Sequence, residues 1–89
     1  MRILPGDGVT STALVNGQMD LRSKGDESGF RCSPVGAAMW VALRHNDGFL
    51  ELAADSLAEV WETDTTKVKT AMTVWSRKMI EAGLLRLEK

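Results

Sequence analysis

The 89 residues of this chain suffice for one small domain with one core. Eleven basic and twelve acidic residues leave a net charge of −1, so no field of one sign is available to grip a phosphate backbone. A single cysteine and a single histidine exclude an internal disulfide and a paired Cys/His zinc site.

In chain order, residues 1–8, MRILPGDG, carry Pro5, Gly6 and Gly8 and read as an irregular lead-in. No long apolar run marks a secretory signal or a membrane span. The expectation is a reduced, cytoplasmic protein whose one domain occupies residues 9–89. VTSTALV (9–15) is rich in β-branched residues, and QMDLRS (18–23) alternates Met19 and Leu21 against Asp20 and Arg22. Between them stands Asn16-Gly17, a pair suited to a two-residue hairpin turn. A polar loop at 24–29 leads to a third, very short strand at 30–33. There Phe30, Arg31 and Cys32 alternate, with Phe30 and Cys32 facing the helices and Arg31 the other side.

Ser33 can cap a helix, and Pro34 sits at the first helical position, where a missing N–H costs nothing. The first helix runs from Pro34 to about Arg44 and buries Val35, Met39, Trp40 and Leu43. Asn46-Asp47-Gly48 breaks it. The second, from Phe49 to Glu62, carries Leu50, Ala53, Ala54, Leu57, Val60 and Trp61 at helical spacing. Thr63 or Asp64 caps the third, which runs to Ala82 with Gly83 as its stop. Its core stripe is Val68, Ala71, Met72, Trp75, Met79 and Ala82, after which LLRL packs back onto the domain. The fold class is therefore α+β, a three-stranded antiparallel sheet followed by three helices. No linker, repeat or low-complexity segment interrupts it.

Catalytic groups are scarce. Asp26-Glu27 is an adjacent pair in a glycine-flanked loop, which is ordinarily just solvated. GDG lacks the rest of any phosphate-binding loop. Cys32 reads as a small buried hydrophobe, with nothing nearby to lower its pKa. His45 lies at a helix C-terminus, a favourable surface position for a cation. No nucleophile has an assignable base, so no enzyme, cofactor or metal is expected.

Two binding readings remain. Lys67, Lys69, Arg77 and Lys78 on the third helix, with Thr65, Thr66, Thr70, Thr73 and Ser76, would suit a recognition helix of a winged helix-turn-helix DNA-binding protein. Against that stand the net charge and a hairpin that precedes the helices. Alternatively, the third strand lies at a sheet edge and accepts an extended peptide as an extra strand, with the third helix as the other wall. At 100° per residue, Val68, Met72, Trp75 and Met79 form the core side. Lys67, Ala71, Val74 and Lys78 form the border assigned to the groove, while Lys69, Ser76 and Ile80 form the opposite candidate border.

GFRCSPVGAAMW, the NDG break, FLELAADSLAEVW and DTTKVKTAMTVWSRKMIEAGLL, taken in order, resemble the PqqD-like family, or RiPP recognition elements. The places that carry the resemblance are Phe30, Ser33, Pro34, Gly36, Ala37, Met39, Trp40, Leu52, Ala53 and Gly83-Leu84-Leu85, within residues 9–87. The resemblance implies a winged-helix-like module that binds the leader of a ribosomally made precursor peptide. It looks most like the free-standing form of lasso-peptide biosynthesis, which delivers the precursor to a separate cysteine protease. With the strand edge and the helix border read above, the expected peptide-binding residues are Phe30, Arg31 and Cys32 on the strand and Lys67, Ala71, Val74 and Lys78 on the helix. The 24–29 loop is longer than usual in such proteins, and Arg31 stands where an aromatic residue is common.

Overall fold

A computed structural model describes residues 2–23 and 29–88. The expected Asp26-Glu27 pair and most of the 24–29 loop lie outside the described residues. The elements are β1 (Arg2–Pro5), β2 (Thr10–Ala13), β3 (Met19–Arg22), β4 (Phe30–Cys32), α1 (Pro34–His45), α2 (Leu50–Trp61), α3 (Thr65–Glu81) and β5 (Leu85–Glu88). Strands β2, β3 and β4 form the antiparallel sheet ahead of the three helices, so the α+β order expected from the sequence is the one observed.

The first correction is at the ends. Residues 2–5 are not irregular: β1 pairs antiparallel with β5, from Arg2 opposite Glu88 to Pro5 opposite Leu85. Neither strand shows its pairing locally, because each partner lies at the far end of the chain. Pro5 is tolerated at the strand end, where its missing N–H breaks no ladder. Ile3 donates its N–H to Gly48 O at 2.8 Å, and Gly6 donates to Leu84 O at 3.0 Å. The Arg2 guanidinium lies 5.7 Å from the Phe49 ring centroid and pairs with Glu88 at 3.2 Å.

The second correction is the hairpin. Only Gly17 has positive φ, at 86°, while Asn16 does not. Gly17 donates to Leu14 O at 3.2 Å and Leu14 donates to Gln18 O at 2.8 Å. The connection is thus three residues long, a turn over Val15 and Asn16 followed by a left-handed glycine. The Asn16 carboxamide serves the turn differently, its Oδ1 accepting from Gln18 N.

Ser33 caps α1 as expected, its Oγ accepting from Gly36 N at 3.3 Å, with Pro34 in the first turn. Asp64, not Thr63, caps α3, accepting from Thr66 N at 2.7 Å. Met39, Trp40, Leu43, Ala53, Ala54, Leu57, Met72 and Met79 form the core with Leu21 and Ile3. Val35 and Val60 are exposed and Trp61 is only partly covered, contrary to the periodicity. Each sits at a helix end, where packing against neighbours runs out before the pattern does. On α3 the buried set is Val68, Met72, Ser76 and Met79, whereas Ala71 and Ala82 are exposed and Trp75 is half-buried. The core-facing stripe is rotated toward Ser76, whose hydroxyl is satisfied by donating to Thr73 O at 3.1 Å.

Candidate functional site

Among the described residues β4 is an edge strand, bonded to β3 on one side only. Its inward side chains follow the pleat. Met19 opposes Cys32 and Leu21 opposes Phe30, and of these four only Phe30, at 45% exposed, is left uncovered. The outer face holds Asp20 opposite Arg31. Arg31 donates from Nε to Asp20 Oδ1 at 2.9 Å and from Nη2 to Oδ2 at 3.4 Å. This contact holds the Asp20 carboxyl below its ordinary range and pushes Arg31 up. Arg31 therefore already has an acidic partner within the sheet, which strand alternation alone does not reveal.

Cys32 is 2% exposed, and burial, with the Asp20 charge added, raises its thiol pKa. It is a packed thiol with little thiolate character. What Cys32 can offer a guest strand is its backbone.

Lys67, Ala71, Val74 and Lys78, the border singled out in the sequence, come together with Trp75 along an open groove of about 640 Å³ on α3. Val74 is half exposed at its floor. No β4 residue lines this groove, but Gly36 lies between Trp75 and the end of β4. A Cβ added to Gly36 would lie 3.2 Å from Trp75 Nε1 and 3.5 Å from Cys32 Cβ. The indole thus occupies space that glycine leaves open at the start of α1, beside the end of the edge strand. Sequence periodicity assigns Trp75 wholly to the core; its place in the groove wall depends on the small residue across from it.

The opposite border lies elsewhere. Lys69, Ser76 and Ile80 line a separate cavity of about 800 Å³ with Ile3, Phe49 and Leu87. There Lys69 is tied to Glu51 at 2.7 Å, which holds the Glu51 carboxyl below its usual range. The basic residues of α3 are accordingly divided between two cavities and form no single face. Two of the threonines that would read bases are also engaged: Thr70 donates to Thr66 O and Thr73 to Lys69 O. Both features weigh against α3 as a recognition helix.

Among the described residues, no cluster of three or more His, Cys, Asp or Glu side chains could hold a metal ion. No described helix is long and apolar enough to cross a membrane.

No protein-family model and no curated protein matches this sequence. Among solved structures, the chain is similar to TbiB1 in complex with the TbiA(beta) leader peptide. The TM-score is 0.84 at 19% sequence identity, over 97% of this chain and 98% of that one. The two share a fold.

Proposed function

We propose that this chain is a non-catalytic binding module that captures the leader of a ribosomally made precursor peptide. The leader adds as a strand to β4, its side chains reaching the groove on α3, and is presented to a separate processing enzyme. In lasso-peptide maturation that enzyme is a cysteine protease that removes the leader. We read the work as cytoplasmic, with no cofactor.

The observation that supports this most is the open edge of β4 beside the Trp75 groove, in a fold shared with a protein solved with a leader peptide bound. An edge strand offers unpaired N–H and C=O groups to an extended chain, and an adjacent apolar groove selects its side chains. The energetics are adequate. Micromolar affinity corresponds to about −8 kcal/mol. A few main-chain hydrogen bonds at roughly 1 kcal/mol net and two apolar anchors at about 2 kcal/mol each reach that scale before association costs.

The test is calorimetric titration with the leader of the precursor encoded beside this protein's gene. Binding in the micromolar range is expected. No heat and no binding at tens of micromolar would remove the reading.

A further inference from the structure

The groove on α3 is charged in a way the protein as a whole is not. Lys67 and Lys78 stand at its two ends, and among the described residues no acidic side chain lines it. Among the described residues neither lysine has an ion-pair partner, whereas Lys69 and Arg31 are both paired. Between the two free ammonium groups lies an apolar floor of Ala71, Val74 and Trp75. In a chain of net charge −1, this is a local cationic strip with an apolar centre.

From this pattern we infer the chemistry of the segment that fills the groove: an extended peptide with an apolar side chain between two carboxylates. The inference rests on the leader-binding reading and specifies what kind of leader the site takes. Eleven residues of helix separate Lys67 from Lys78, which is roughly 16 Å along the axis. An extended strand covers that distance in about five residues. The two carboxylates are therefore four to six residues apart, the range allowing for the reach of lysine. The apolar residue between them stands over Val74 against the Trp75 indole. A phosphate backbone fits the site less well, since it has no use for an apolar floor and needs more than two free cations for useful affinity.

The experiment is fluorescence polarisation with the fluorescein-labelled leader of the neighbouring precursor, at low and high salt. It compares the intact chain with its Lys67→Glu/Lys78→Glu variant. The same leader with every Asp and Glu replaced by Asn and Gln is the second probe. Exposed ion pairs are worth up to about fivefold each, and reversal adds repulsion of similar size, so the double variant is expected to lose about tenfold at low salt. The neutral leader loses the attraction without the repulsion, so it loses less than the double variant does, and it no longer responds to the reversal. High salt shrinks the difference between the two proteins. Both lysines are exposed, so thermal melting of the variant stays close to the parent.

A leader that binds the double variant within about twofold of the parent overturns the charge pattern while leaving leader capture intact. So does a tightly bound leader that carries no such carboxylate pair. A leader that fails to bind even the parent protein removes both readings. Lysine-dependent retention of a short duplex DNA, with no leader bound, replaces them with nucleic-acid binding.

Discussion

Arg31 and Asp20 face each other across β3 and β4 on the outer side of the sheet, and this pairing sets what Arg31 can contribute to a guest. Reaching a leader carboxylate would mean giving up an existing one. Arg31→Ala is therefore expected to weaken leader binding less than about tenfold, as for exposed pairs generally. Arg31→Pro should be far worse, because it deletes an N–H and disfavours the short strand. Titration of both variants against the leader checks this; equal binding by parent and Arg31→Pro would exclude strand addition at β4. The pair also has a pH signature. Because the Asp20 pKa is lowered by folding, its stabilisation is complete above the unfolded carboxylate range, near 4, and is lost as pH falls through the depressed folded value. The alternation of Phe30, Arg31 and Cys32 is readable in the sequence. The partner of Arg31 is not, since it depends on the register of two strands joined by a long loop.

Helix α3 presents two borders of similar composition, and only the structure separates them by what each faces. Lys67, Ala71, Val74 and Lys78 share a groove with Trp75, while Lys69, Ser76 and Ile80 line a second cavity with Ile3, Phe49 and Leu87. Val74→Asp should accordingly leave the fold intact and weaken leader binding, because its side chain is half exposed on the groove floor. Trp75→Ala should impair both. It is half-buried, so the loss of stability is about 2–3 kcal/mol, below the roughly 3–5 of a fully buried aromatic. Thermal melts beside leader titrations distinguish the two. If Val74→Asp proved the more destabilising, the faces of α3 would be misassigned. Period and capping signals locate this helix well, narrowing its cap to Thr63 or Asp64 and its stop to Gly83. They misjudge Ala71 and Trp75, because an apolar residue at a stripe's margin can face either the core or a groove, and the periodic pattern looks the same either way.

At the scale of the whole molecule, the feature invisible to local reading is the ribbon of β1 and β5, which closes the two ends of the chain on each other. Gly48 anchors it. Its φ is 82°, and a Cβ there would meet Ile3 O at 2.5 Å, on backbone that has no easy escape. Gly48→Ala should cost more than about 2 kcal/mol, from the left-handed backbone and the clash together, measurable as a lowered denaturant midpoint. A midpoint unchanged from the parent would mean that β1 is not docked against this turn. The ribbon has a further consequence for architecture. Arg2 and Glu88 are register partners, which sets their Cα atoms about 5 Å apart. A glycine-rich bridge of a few residues can span that gap, and new ends can be opened at the exposed Val15 turn, giving a circularly permuted chain with the same core. For the same reason, a domain fused ahead of Arg2 and one fused behind Glu88 would leave from the same corner. A tethered enzyme could thus be moved from one end of the polypeptide to the other with little change in its position relative to β4.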